Sequence, residues 1–262
     1  MDTASVTEVL RRPHPCDHVV QLYTDDAVLA SAVSKFVAEG FSEGEAALII
    51  ATAAHRTLFA DRLAASGIDV GRALERGQLV MLDAAECLGR FMIDGVPDRS
   101  RFFATLTTAL EGVRASGFRT MRLYGEMVNL LWDENLDATV QLEELWNELL
   151  AIHGLPLLCA YRIDNFDPGA HRGLLHRISP SHSHLIPVDD CDRLDDAVSR
   201  AYADVFGADG DADVLRTVMA STLTPPTLMP PAQAALFALR GFPPGMVDAV
   251  LERARHYYLR SA

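Results

Sequence analysis

From His18 onward, short apolar runs alternate with stretches in which apolar residues recur every three or four positions. That is the rhythm of βα units building a mainly parallel sheet. VVQLY (19–23) predicts a strand, and AVLASAVSKFVAEGF (27–41) a covering helix that ends at Gly40. GEAALIIAT (44–52) is almost continuously apolar, the pattern of a strand buried on both faces. TLFADRLAASG (57–67) predicts a helix closed by Gly67, and QLVMLDA (78–84) the next strand. Beyond it, 99–117 predicts a helix, TMRLYGEM (120–127) a strand, 136–154 a long amphipathic helix stopped by Gly154, and LPLLCAYRI (155–163) a fifth strand.

After Asp164 the pattern changes. NFDPGAHRGLLHRISPSHSHLIPVDD, rich in His, Pro and Ser, predicts an edge segment followed by a linker. Four short helices are expected after it, at 192–206, 211–221, 230–240 and 244–259, separated by TPPTLMPP and GFPPG. The expected organisation is therefore an N-terminal extension (1–17), an α/β domain (18–188) and a helical C-terminal module (189–262), with no internal repeat.

Composition fits a packed protein, with 49% hydrophobic and 23% charged residues in 262. The formal net charge of −13 opposes contact with phosphate backbones or anionic lipid, so direct nucleic-acid and membrane partners are not expected. Cys16, Cys87, Cys159 and Cys191 are scattered without a disulfide or C-x-x-C spacing. With no apolar run near the roughly 18 residues of a membrane span, the expected location is the cytoplasm.

The blocks EGFSEGEAALIIAT and SGIDVGRALERGQLVMLDA resemble the central part of RecA/KaiC-like ATPases. More closely, HVVQLYTDD, the pair Gly44-Glu45, His55, FMIDGVPDRSRF, RLYGEMVNLLW, LEELWNELL, LLCAY and HSHLIP resemble the MEDS family, the methanogen/methylotroph sensory domains that include the sensory half of a dichloromethane-responsive repressor. The resemblance implies a RecA/KaiC-like sheet flanked by helices and a role in signalling or transcription regulation.

One part of an ATPase is missing. A phosphate loop needs G-x-x-x-x-G-K-[ST], so that glycines free backbone amides to cradle phosphate while a lysine neutralises it. The corresponding turn here is YTDDAVLA, with Asp25 and Asp26 where phosphates would sit, and the sole lysine, Lys35, lies inside a predicted helix. ATP hydrolysis is not expected, and no cofactor is implied.

Ligands of open α/β sheets bind outside the carboxyl ends of the strands. The candidate ligand-binding residues are therefore Tyr23, Thr24, Asp25, Thr52, His55, Asp83, Glu126 and Tyr161, with Asp164 beyond them. Asp25 and Thr24 serve equally well as helix caps. Glu126 directly follows an apolar strand and needs a partner, an arginine or His55, if it is buried. In the RecA-like comparison it falls near the acidic residue that handles magnesium.

His171, His176, His182 and His184 raise a metal alternative, with His182 and His184 as an H-x-H pair and Cys159 or Cys191 to complete a site; no repeated ligand pattern supports it. No common hydrolase signature is present, and Asp94-Gly95 predicts a turn. The stretch from LMPPAQAALFALRG is similar to the last region of sigma factors, but residues 189–262 hold eleven acidic and seven basic side chains, so docking to a protein is expected rather than reading DNA.

The leading expectation is a cytoplasmic regulator that binds a small-molecule signal and passes its state to a regulatory protein, without catalysis. Its alternatives are a metal-binding protein or enzyme using Glu126, His55 and the C-terminal histidines, and a ligand-free scaffold that dimerises through an apolar helical stripe.

Overall fold

The computed structural model describes residues 2–207, 211–222 and 227–260. The chain forms two compact units, Glu8–Arg162 and a second made of Met1–Thr7 with Ile163–Ala262. The expected domain boundary at 188 falls within the second unit.

The N-terminal extension carries a helix, α1 (Thr3–Arg11). In the first unit, β1 (His18–Tyr23), α2 (Asp26–Ser42), β2 (Ala46–Ala51), α3 (Ala53–Ala65), α4 (Val70–Glu75) and β3 (Leu79–Asp83) follow the expected alternation. Next come α5 (Ala84–Gly89), a small hairpin of β4 (Met92–Ile93) and β5 (Val96–Pro97), and α6 (Arg99–Ala115). The unit closes with β6 (Met121–Gly125), a 3-10 turn over Met127–Leu130, α7 (Leu136–His153) and β7 (Leu157–Arg162). The hairpin turn uses Asp94 and Gly95, both at positive φ, as the Asp-Gly signal predicts.

The strands of this unit run parallel in the order β3-β2-β6-β7-β1. Every residue of β1 and β2 is buried, which is why their sequences lack the alternation of a half-wet strand. Register fixes the faces. Val20 pairs with Cys159, Leu22 with Tyr161 and Cys159 with Gly125, so these side chains share the face that carries α7, whose Trp146 lies against Gly125. Tyr23, Tyr124 and Arg162 point to the other face.

Gly154 ends α7 in the left-handed conformation, as predicted. Gly40 does not end α2. The helix runs to Ser42, and at buried Gly40 a side chain would not fit, since a Cβ there would lie 2.6 Å from Arg122 Nε. Buried Arg122 needs that space to reach Glu45 at 2.5 Å and the carbonyls of Arg11 and Phe36. A guanidinium withdrawn from water is tolerated only with such partners.

The stretch expected as an edge segment followed by a linker does contain a strand, but it is helical before it. Residues Ala170–Leu174 form a π-helical turn, followed by α8 (Leu175–Ile178), a 3-10 turn and β8 (His184–Ile186), which bridges to Leu228. The four later helices match the prediction: α9 (Cys191–Phe206), α10 (Asp211–Thr222), α11 (Pro231–Ala238) and α12 (Pro244–Arg260). On α9, Leu194, Ala197, Val198 and Ala201 recur at helical spacing and are fully buried against α11 and α12 through Leu236, Val250 and Leu251.

Candidate functional site

The connection leaving β2 runs to β3 on one side of it, whereas the connection leaving β6 runs to β7 on the opposite side. The carboxyl ends of the adjacent strands β2 and β6 therefore flank a topological switch point, where the helices that follow diverge and leave a crevice. Thr52 follows β2 and Glu126 follows β6, and both lie at this point.

Glu126 is 1% exposed. Its Oε1 accepts the Thr52 amide at 2.6 Å, and its Oε2 accepts His55 Nδ1 at 2.6 Å and the Tyr124 hydroxyl at 2.8 Å. Burial pushes the Glu126 pKa up, but the donors from His55, Thr52 and Tyr124 together hold it below the usual carboxylate value. The hydrogen bond to Glu126 raises the pKa of His55 against the opposing effect of burial. Both shifts favour the charged forms of the pair, which sits against aromatic rings. His55 stacks on Phe59 at 5.5 Å, and Phe59 meets Tyr124 edge-on at 5.1 Å.

From this pair a polar chain leads outward. His55 Nε2 lies 3.5 Å from Asp26, and Asp26 accepts Arg162 at 3.1 Å; Asp26 and Arg162 are each 47% exposed. The Arg162 guanidinium stands over the Tyr23 ring at 5.6 Å. Asn129 donates to the Tyr23 hydroxyl at 3.3 Å and accepts the Arg162 amide at 2.8 Å and the Trp132 indole N–H at 3.2 Å. Burial is the main cause of the upward shift of the Tyr23 phenol, so it is a neutral hydrogen-bonding group.

Of the residues singled out in the sequence, Tyr23, Thr52, His55 and Glu126 come together here. Thr24 is exposed in the turn after β1. Asp25 caps α2 by accepting the Ala27 amide at 2.8 Å, and Thr52 likewise caps α3. Asp83 caps α5 through the amides of Ala85 and Glu86 and pairs with Arg56 at 2.8 Å. Tyr161 is a correction: it faces α7, where its hydroxyl donates to Glu143 at 2.5 Å, and its neighbour Arg162 is the β7 residue on the crevice side. A strand turns successive side chains to opposite faces, and the expectation chose the wrong parity.

Tyr124, Asn129 and Phe59 are not among the expected site residues, and Asp26 reads only as negative charge where phosphates would sit. Tyr124 was within reach of sequence reasoning, standing two residues before Glu126 on the same face; nothing local marked Asn129.

Two clefts lie elsewhere. One of about 460 Å³ lies along α2 and α3 beside Ser34, Lys35 and Arg62, and one of about 620 Å³ is lined by α10 and the stretch from Thr227 to Ala234.

The turn from β1 to α2 consists of two residues, Thr24 and Asp25, and the Asp25 side chain takes the Ala27 amide while its carbonyl takes those of Val28 and Leu29. The C-terminal histidines each have a local partner. His171 Nε2 meets the Asn165 carbonyl at 2.7 Å, His182 Nδ1 the Ile178 carbonyl at 2.8 Å and His184 the Ser183 hydroxyl at 2.9 Å, while His176 lies edge-on to Phe237. Burial lowers the pKa of His171 to about 4. Among the described residues, no helix is long and apolar enough to cross a membrane.

A family model, MEDS, described as the methanogen/methylotroph, DcmR sensory domain, matches residues 17–177. No curated protein matches the chain.

Proposed function

The chain belongs to the MEDS family of sensory domains, and from that premise we propose that its α/β unit receives a small polar ligand at the switch-point crevice and passes its state to a regulatory protein. The observation that carries this reading is the buried Glu126–His55 pair, tied through Asp26 to the half-exposed Arg162. His55 Nε2 and the Arg162 guanidinium both turn to Asp26, so a ligand with an anionic or strongly accepting group can replace that carboxylate. The apolar ring wall of Tyr23 and Phe59 would take the rest of a small molecule. Displacing Asp26, at the first turn of α2, gives the differential contact between two states that signalling requires.

On this reading the protein is not an enzyme and does not hydrolyse ATP, because α2 offers aspartates where a phosphate cradle would be needed. It acts in the cytoplasm without binding nucleic acid or membrane directly. Its net charge supports this, as do the arginines of the C-terminal unit, where Arg172, Arg216 and Arg253 are paired with Asp248, Asp195 and Asp204. One rival is a scaffold without a ligand, in which the polar groups of the crevice serve only one another, as Glu126 does His55, Thr52 and Tyr124.

Native mass spectrometry of the protein under gentle and denaturing conditions, beside an ATP titration, separates these readings. The expected result is a small molecule released on denaturation and missing from Glu126→Ala and Tyr23→Ala. Tight magnesium-dependent ATP binding would overturn the non-ATPase reading, and an empty, nucleotide-blind protein would favour the scaffold.

A further inference from the structure

The opposite face of the sheet holds a second cluster of ionisable side chains, and its geometry points to a metal site. His18 at the start of β1, Cys159 in β7 and Glu143 on α7 are 2%, 1% and 0% exposed, and their ligand atoms lie within 4.8 Å of one another. The parallel register of β1 and β7 puts His18 and Cys159 on the face beneath α7, and one helix position supplies the carboxylate. We propose that His18 Nε2, Glu143 Oε2 and Cys159 Sγ bind a divalent metal ion of the zinc class.

Three features support this. First, His18 Nδ1 donates to Asn147 Oδ1 at 2.9 Å, which places the ring proton on Nδ1 and turns the Nε2 lone pair towards Glu143. Histidine ligands of metals are held in this way by an oxygen behind the ring. Second, Nε2 stands 3.4 Å from Glu143 Oε2, long for a hydrogen bond. It matches the edge of a tetrahedron with ligand bonds of about 2.0–2.2 Å, roughly 3.4 Å. The other carboxylate oxygen accepts the Tyr161 hydroxyl at 2.5 Å, which fixes the orientation of the group. Third, a divalent ion bound by one carboxylate and one thiolate is electrically neutral, the condition for charges buried this deeply. Mixed N, O and S donors suit zinc, with one coordination position left for a further ligand.

This site is separate from the crevice, and neither inference depends on the other. The full-length chain, stripped by chelation, is titrated with Co²⁺ and then Zn²⁺. We expect one cobalt per chain with a thiolate-to-cobalt charge-transfer band, bleached by Zn²⁺ and missing from Cys159→Ser. Asn147→Ala keeps all three ligands and should weaken Zn²⁺ binding about 10–100-fold, with restoration in Asn147→Asp. Circular dichroism confirms that each variant is folded. A folded wild-type chain without the thiolate band, or one that binds Zn²⁺ no more tightly than folded Cys159→Ser, would overturn the assignment.

Discussion

Glu126 and Glu143 are buried on opposite faces of one sheet, and each accepts a hydrogen bond from a tyrosine, Tyr124 or Tyr161, and lies beside a histidine, His55 or His18. They differ in what stands behind the histidine. The side chain of His55 is 12% exposed and leads through Asp26 and Arg162 to solvent, whereas that of His18 is 2% exposed and backed by Asn147. Both arrangements answer the same physical demand, that a carboxylate taken out of water be surrounded by donors. Their outlets decide what each can do. A chain of groups ending in a half-exposed ion pair can exchange a protein carboxylate for a ligand, while a sealed cluster can exchange protons only for a small ion.

The largest test of this contrast compares the two glutamates directly. Glu143→Ala, which strands a tyrosine and a histidine in a sealed space, should cost about 3–5 kcal/mol of stability. Glu126→Ala, where water can follow the route past His55, should cost about 1–3 kcal/mol. Urea unfolding at neutral pH measures both, and an equal or greater loss for Glu126→Ala would break the comparison.

The pH dependence of stability sharpens it further. The pKa of His55 is raised in the folded state, so its contribution is complete below the ordinary value of 6.5 and is lost as pH rises through the folded value. The pKa of Glu126 is lowered, so its contribution is complete above 4.5 and is lost as pH falls through the folded value. Both are fully present between pH 4.5 and 6.5, and the urea midpoint should decline on the alkaline side of that window. His55→Gln should flatten that decline; an unchanged profile would mean that the pair does not control it.

The smallest effect concerns the rim. Arg162→Ala removes an ion pair whose partners are both half-exposed, and should cost at most about 1 kcal/mol. It should nevertheless speed the modification of His55 by diethylpyrocarbonate, followed by peptide mass mapping. An unchanged rate would show that Arg162 does not close the crevice.

Much of this architecture is legible in local patterns. The apolar run at 46–51 becomes a strand buried on both faces, Gly154 caps α7, and α9 keeps its three-and-four spacing. Legibility fails where local chemistry is ambiguous. Gly40 has the look of a helix terminator, yet its missing side chain makes room for Arg122, a residue 82 positions away. The His- and Pro-rich stretch after Asp164 reads as an edge segment followed by a linker; it does contain a strand, β8, but a π-helical turn and α8 precede it, with the His171 ring turned inward to the Asn165 carbonyl. The candidate site was half legible for the same reason. Residues at strand ends are visible in a sequence, but the helix caps among them, Asp25 and Asp83, look the same as ligand contacts until their hydrogen bonds are seen.

The βα alternation, the positions of the strand ends, the lack of a G-x-x-x-x-G-K-[ST] string and the need for a partner at Glu126 are written in short stretches of the chain, because periodicity and motif chemistry act over a few residues. The folded sheet alone reveals that β6 lies beside β2, which brings Glu126 to His55 across 71 positions, and that Arg162 rather than Tyr161 faces the crevice. Strand order is set by long-range pairing across the sheet, and in strands buried on both faces the apolar pattern does not mark which side chain turns to which face.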